Sequence, residues 1–415
     1  MHPTMFTIPF LPPWLGEIKS YGVMMMIAFL SGIWLACRRA YKTQANPDTV
    51  LNMGFIALIF GVIGARAMFV IHYWDTNFAN QPNPLSAVFD VRGGGLEFWG
   101  GPILVIPALM IYLRYVAKVS VRWYLDITMP SLAWGLAITR IGCFLNGCCW
   151  GAICVDQHDP ALERATIPWA VQFPYGSPAM VQHYRYGRQS LPKELIWALP
   201  SGQSQPVPRE YINALAGEEG ATLRQLKEEN TSAWKLYNER KNAGADVETL
   251  EKLQARAEDA SAAVVSYLGQ NIAISAIDKQ CRAYDLTPEQ LAQLSAHYPS
   301  LPVHPTQLYA VVNGLIICWV LTALFYYRKR HGIVGAWFLI LYSISRVFLE
   351  LIRQDNPLDV GGLTISQAIS AGTFLTGVVW LWLMHAKMPL VSPRVAPFVF
   401  PEDEKPVTAR KAKKK

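Results

Sequence analysis

Apolar residues fall in seven long stretches, roughly Tyr21–Cys37, Leu51–Tyr73, Phe98–Val116, Trp123–Leu145, Gln307–Tyr327, Gly332–Ile352 and Ile365–Met384. Each approaches the roughly 20 residues that an α-helix needs to cross a hydrocarbon core. Stretches of that length that are apolar on every side predict membrane spans rather than amphipathic helices of a soluble core. Between the fourth and fifth stretches the pattern changes. Arg224 to Ala260 is rich in Glu, Lys, Gln and Ala. Helix-compatible runs at Leu223–Asn242 and Val247–Leu268 flank Asn242-Ala243-Gly244-Ala245-Asp246, which reads as a turn. Thr287-Pro288-Glu289-Gln290 carries a capping Thr, Pro at the first helical position and Gln at the capping-box position, so a helix should start there. The fold expected is an all-α polytopic membrane protein with about seven transmembrane helices and a mostly helical periplasmic insertion. Its parts are 1–175 (spans one to four with a surface loop at Asp75–Gly95), 176–302 (the insertion), 303–388 (spans five to seven) and 389–415 (a basic cytoplasmic tail).

Composition agrees with membrane residence. Hydrophobic residues make up 52% of the chain and charged ones only 16%, against roughly 25% charged in soluble domains. Met1 to Ser20 lacks the basic start and small-residue cleavage site of a signal peptide, so insertion is expected to rely on the first span. Lys and Arg collect on the cytoplasmic side of a membrane. Arg38, Arg39 and Lys42 follow the first span, Lys118 and Arg122 the third, Arg328-Lys329-Arg330 the fifth, and Lys387 and Arg394 the seventh. Every odd-numbered span thus exits into a basic segment, which puts the N-terminus in the periplasm and the C-terminus in the cytoplasm. The net charge of +7 sits largely in these loops and in the tail Arg410-Lys411-Ala412-Lys413-Lys414-Lys415, where anionic headgroups rather than nucleic acid account for it.

Ionisable groups inside spans are costly and mark function. Arg140 lies deep in the fourth span, ahead of Asn146 and Gly147, where the backbone is expected to leave helical geometry beside a cavity. Tyr342, Arg346, Glu350 and Arg353 form one polar stripe on the sixth span, and Arg346 can pair with Glu350 one turn on. Two arginines against one carboxylate leave positive charge suited to a phosphate. His304-Pro305-Thr306-Gln307-Leu308-Tyr309 opens the fifth span, with Thr306 a candidate cap. The glycine-rich run Gly93-Gly94-Gly95-Leu96-Glu97-Phe98-Trp99-Gly100-Gly101 opens the third, where glycines also permit tight helix packing. Tyr21 and Arg66, taken singly, read as structural. Cys143, Cys148 and Cys149 lack paired C-x-x-C spacing and have no neighbouring His, so no metal centre is expected. A periplasmic disulfide among Cys148, Cys149, Cys154 and Cys281 is expected instead, with the partners undetermined.

These residues resemble the prolipoprotein diacylglyceryl transferase family. The resemblance rests on Arg140-Ile141-Gly142-x-Phe144-x-Asn146-Gly147-x-x-Trp150-Gly151, His-Pro-Thr-Gln-Leu-Tyr at 304–309, the Gly-Gly-Leu-x-Phe-x-Gly-Gly run at 94–101, and Tyr342-x-x-x-Arg346-x-x-x-Glu350-x-x-Arg353. It covers about residues 15–175 and 300–385. The family's fold of seven spans with the N-terminus outside agrees. The resemblance implies transfer of the diacylglyceryl group of phosphatidylglycerol to the lipobox cysteine of prolipoproteins in the bacterial inner membrane, forming a thioether and releasing glycerol 1-phosphate. Its chemistry requires no metal or organic cofactor. It implies Arg140, Arg346 and Glu350 as the catalytic group, with Tyr21, Gly100, Asn146, Gly151, His304, Gln307, Tyr342 and Arg353 positioning lipid or lipobox. Its partners are phosphatidylglycerol, prolipoprotein signal peptides and membrane lipids, with no nucleic acid. Trp99 stands where many members have a histidine, Cys143 and Cys148 where many have Asn and Glu, and Ala310 where a Glu is common. A secondary transporter would also carry intramembrane Arg and Glu, but no inverted repeat of broken helices is present. The alternatives are a membrane scaffold that uses the insertion for partners and tolerates Gln or Lys at Arg140 and Arg346, and a diverged family member in which Trp99 and Cys143 mean lost or altered activity.

The charge pattern makes an orientation prediction. Fluorescent-protein fusions after Lys118 and Met388 should fluoresce, and alkaline phosphatase inserted within 176–300 should be active. The reverse pattern would invert the topology.

Overall fold

The computed structural model describes residues 4–7, 17–79, 83–90, 95–155, 165–198, 204–353 and 364–390. Gly93 and Gly94 of the glycine-rich run and the basic tail beyond residue 390 lie outside the described residues. The chain divides into a unit of membrane helices, up to residue 152 and from residue 305 onward, and a unit formed by residues 153–304.

The membrane unit opens with a short antiparallel pair, β1 (Thr4–Thr7) and β2 (Glu17–Lys19), followed by α1 (Ser20–Lys42) and α2 (Pro47–His72). Asn46 caps α2 through Asp48 N at 2.8 Å, and Pro47 fills the first helical position, where no N–H is needed. After the surface helix α3 (Pro84–Phe89) come α4 (Gly100–Ile111) and α5 (Val121–Asn146). In the second half the helices are α12 (Thr306–Tyr327), α13 (Ile333–Ile352) and α14 (Ile365–Lys387). Six of these helices are long and apolar enough to cross a membrane. The third expected span is shorter: with one wide turn at Tyr112–Val116 it covers Gly100–Val116, and it contains Pro107.

No hydrophobic force sorts one apolar helix from another in lipid, so close backbone approach does. Gly64 of α2 lies against Gly100 of α4 so closely that a Cβ on either would overlap the other's carbonyl oxygen. Gly142 of α5 takes Tyr21 and Met24 of α1, and Gly314 of α12 takes Ala137 of α5. α5 is thus the axis around which α1, α12 and α13 pack, its own Ile127 and Ala133 sharing a buried cluster with Leu321 and Phe325 of α12 and Val334 of α13.

Two charges read from the sequence as loop anchors turn out to be buried in this packing. Arg39 donates to Ile127 O (2.6 Å) and Ser131 Oγ (3.0 Å) on α5. Arg328 pairs with Asp126 (3.3 Å), whose carboxylate also accepts from Gly332 N, Val334 N and Gly335 N at 2.7–3.2 Å. Asp126 therefore satisfies the orphan donors at the start of α13 and complements its dipole, from a side chain on α5. Arg66 donates to Ala87 O, Val88 O, Asp90 O and Gly95 O, so it pins the surface loop beside α2, the structural role expected for it.

The 153–304 unit holds six helices among its described residues: α6 (Pro178–Arg185), α7 (Arg209–Ala216), α8 (Glu218–Asn242), α9 (Val247–Gln270), α10 (Ile272–Ala283) and α11 (Pro288–Ala296). The expected α8–turn–α9 hairpin forms, with Gly244 at a φ of 72° in the turn. The Thr287/Gln290 capping box opens α11 as read. A small antiparallel pair, β3 (Ile196–Ala198) and β4 (Ser204–Pro206), flanks a core that includes Met180, Leu195, Ile212, Leu223, Ile277 and Cys281.

Asp126→Ala should lower the thermal unfolding temperature of the purified chain in detergent. It leaves Arg328 and three helix donors without their carboxylate, a loss of about 3–5 kcal/mol for a broken buried pair. Adding Arg328→Met should recover part of it. An unchanged unfolding temperature for Asp126→Ala would contradict this anchor role.

Candidate functional site

The polar groups of the membrane unit converge where α5 ends and α13 runs out. α5 stops at Gly147, whose φ of 73° is the left-handed geometry that glycine adopts without strain. Cys148 N then closes back onto Cys143 O at 3.2 Å, and Cys149 also takes a positive φ, 61°. The returning strand pairs with the end of α13: Gly151 bridges Arg353, and Ala152 N donates to Ile352 O at 2.7 Å.

Glu350 is the hub. Its side chain is fully buried and receives Arg346 at 3.0 Å and Arg353 at 3.9 Å on one oxygen. Thr364, the cap of α14, donates its hydroxyl to the other oxygen at 3.1 Å. Arg346 also donates to Ser366 Oγ at 2.9 Å, so the start of α14 helps to aim it. Of the polar stripe read from the sequence, Arg346, Glu350 and Arg353 form a network, extended by the cap Thr364 and by Ser366 of α14, which local spacing could not reveal.

Arg140, Tyr342 and Arg346 line one small cavity of about 40 Å³ together with Asn313, Ser345 and the apolar Leu136 and Phe338. Tyr342 stacks on Phe338 at 5.7 Å. This cavity shares Asn313, Ile317, Ser345 and Leu349 with a groove of about 430 Å³ between α12 and α13, otherwise lined by Tyr309, Ile316, Val320, Leu341, Ile344 and Phe348. Asn313 was missed by sequence reading, although a lone amide inside an apolar run was a usable signal.

One expectation about this segment needs correction. Thr306 does not cap α12. It is the first helical residue, its hydroxyl donates to Cys149 O at 2.7 Å, and Pro305 occupies the cap without a side-chain bond. Gln307 is buried and donates to Cys148 O at 2.7 Å, so its amide holds the loop after α5. Gly100 packs against Gly64 and does not line the cavity. His304 is the last residue of the 153–304 unit. Tyr21 lies at the start of α1 against Gly142, within electrostatic reach of Arg140 and Cys143.

The expected disulfide is not formed, since all seven cysteines are free thiols. Cys281 packs in the helical core of its own unit, and Cys148 and Cys149 converge instead on Cys143. The three sulfurs lie within 4.8 Å of one another, a grouping that the sequence spacing did not suggest. Asn146 hydrogen-bonds Cys148, and Arg140 Nη1 lies 4.0 Å from Cys143 Sγ. The neighbouring Cys143 and Cys148 thiols, helped by Arg353 and Arg140, hold the Cys149 thiol below the usual thiol range.

Residues 8–204 and 257–383 match the family model described as prolipoprotein diacylglyceryl transferase. Curated relatives carry the name phosphatidylglycerol–prolipoprotein diacylglyceryl transferase. One from Nitratidesulfovibrio vulgaris is 33% identical over 164 residues, covering 39% of this chain and 56% of the relative. One from Rhodopirellula baltica is 25% identical over 380 residues, covering 88% and 72%. One from Proteus mirabilis is 25% identical over 369 residues, covering 87% and 86%.

The two clamps on the 148–149 carbonyls are testable. Thr306→Val with Gln307→Ala removes two hydrogen bonds worth about 1 kcal/mol each, and should speed maleimide alkylation of Cys148 and Cys149 about tenfold or more. An unchanged rate would mean that the loop is held by other contacts.

Proposed function

The chain belongs to the prolipoprotein diacylglyceryl transferase family, and on that premise we propose that it transfers the diacylglyceryl group of phosphatidylglycerol to the lipobox cysteine of prolipoproteins, with Arg140 and Arg346 holding the departing phosphate. The observation that carries this reading is that Arg140 and Arg346 line one cavity that continues into an apolar groove between two spans. A lipid has the matching division, with acyl chains for the groove and a phosphodiester for the arginines.

The lipobox thiol gives up its proton to solvent, its sulfur attacks C3 of the glyceryl moiety, a carbon–sulfur bond forms, and the carbon–oxygen bond breaks with its electron pair leaving on the phosphate oxygen. Glycerol 1-phosphate departs. Positive charge placed where this negative charge develops is worth most in a site sheltered from water. Arg346 is aimed by Glu350 and Ser366, so it needs little reorganisation when the charge appears. Arg140 reaches the same cavity from α5. Tyr342 and Asn313 line the wall against which the headgroup is oriented, and Arg353, tied to Glu350, adds positive charge to the same network. Tyr21, Asn146 and Gly151 shape the neighbouring loop for the acceptor. Gln307 acts by holding that loop, and Gly100 by helix packing. Family membership supports a bacterial inner-membrane location, and the basic segments after alternate spans support an orientation with the N-terminus and residues 153–304 in the periplasm.

In cells depleted of their own diacylglyceryl transferase, the wild-type chain should restore lipidation of a reporter prolipoprotein, read as a gel shift. Arg140→Ala and Arg346→Ala, at equal membrane levels, should each lower the rate about 10²–10³-fold, the usual cost of losing one charge-stabilising donor. Full rescue by both variants would overturn the arginine assignment, and no rescue by a well-inserted wild type would overturn the transfer.

A further inference from the structure

We propose that Cys143, Cys148 and Cys149 form a three-thiolate site for one soft closed-shell cation of the zinc type, whose open fourth position takes the acceptor cysteine of the substrate. The inference rests on the transfer reading above for the identity of that acceptor, and on geometry for the site itself.

Sulfurs that share one zinc ion at about 2.3 Å stand about 3.8 Å apart in a tetrahedral arrangement. The three Sγ atoms here already lie within 4.8 Å of one another, about 1 Å from that spacing. Their backbone is held in advance. Cys143 sits in the last turn of α5, and Gly147 reverses the chain. The positive φ of Cys149 is a conformation that a residue with a side chain adopts only at a cost. Thr306 and Gln307 clamp the carbonyls of Cys149 and Cys148. A strained residue held by two buried side chains is a built loop, and what it presents is sulfur.

Disulfide bonding accounts for this arrangement less well. Adjacent Cα atoms are about 3.8 Å apart, below the roughly 4.4 Å minimum of ordinary disulfides, so pairing Cys148 with Cys149 would be strained. Pairing either with Cys143 leaves the third thiol without a partner. Charge favours the metal. Three thiolates and a dication sum to one negative charge, and Arg140 lies 4.0 Å from Cys143 Sγ with Arg353 in electrostatic reach of Cys149. Soft thiolates select zinc or copper(I) over hard cations.

Three protein ligands with a fourth position open is the arrangement of catalytic rather than structural zinc. Among the described residues, these three cysteines are the only metal-ligand group of this kind. A thiol entering the fourth position is deprotonated outright by the cation, its proton passing to solvent. The bound thiolate sulfur then forms the carbon–sulfur bond as the carbon–oxygen bond to phosphate breaks.

The test uses the full chain in lipid nanodiscs. Cadmium(II) titration should give a thiolate-to-metal charge-transfer band saturating at one equivalent, unchanged in Cys37→Ala and weakened at least tenfold in both Cys143→Ser and Cys149→Ser. Lipidation of a prolipoprotein peptide with phosphatidylglycerol should fall at least tenfold after chelation and return with zinc(II). Absence of the band in the wild type, its persistence in both serine variants, or a mapped disulfide within the trio would overturn the site. Lipidation unaffected by complete chelation would overturn the acceptor's role. An intact band with no lipidated product from the zinc-loaded chain would instead sink the transfer reading, and the acceptor's role with it, while the three-thiolate site stands.

Discussion

A charge within a bilayer has no water to answer it, and the membrane unit is organised around that shortage. Two buried carboxylates carry most of the burden, Asp126 at the start of α5 and Glu350 near the end of α13. Each ties together elements that no apolar contact would hold in register. Asp126 joins α5 to Arg328 and to the first turn of α13. Glu350 joins the last turns of α13 to the cap of α14. Because an isolated ion in such surroundings costs several kcal/mol, the geometry around each carboxylate has little freedom to drift.

The two ends use this constraint differently. Around Asp126 the count closes: one arginine and three helix donors satisfy one carboxylate, and the result is architecture. Around Glu350, Arg346 and Arg353 share one carboxylate while Arg140 approaches from α5, so positive charge exceeds negative among the described residues. That imbalance suits a phosphate, and the adjoining apolar groove gives a lipid phosphate a route that a soluble one would not need. The loop after α5 adds sulfur to the same region, held by Thr306 and Gln307 from the start of α12.

Long apolar runs, the helical hairpin at α8 and α9, the capping box at Thr287 and the stripe from Tyr342 to Arg353 were legible because each is written within a few turns of chain. A span declares itself by length, and residues four apart on one helix must face the same way. The family resemblance was equally local, carried by short motifs. The third span kept its place but fell short, because Pro107 and the wide turn after Ile111 interrupt a run that composition alone reads as continuous.

Choice of partner across distant segments was not legible. Thr306 has the chemistry of a helix cap, yet it bonds a carbonyl 157 residues away. Arg39 and Arg328 sit in basic segments that read as solvated anchors, but packing against α5 buries them. Cys148 and Cys281 lie in the same connecting region of the sequence, while folding puts one beside Cys143 and the other in a helical core. Sequence alone determined that this is a multi-pass membrane protein, which family it resembles, and which charges are too expensive to be incidental. Tertiary structure decided which charge answers which and which thiols meet, because in a dry interior a group's role is set by whatever lies within about 4 Å of it, and that neighbour is seldom nearby in the chain.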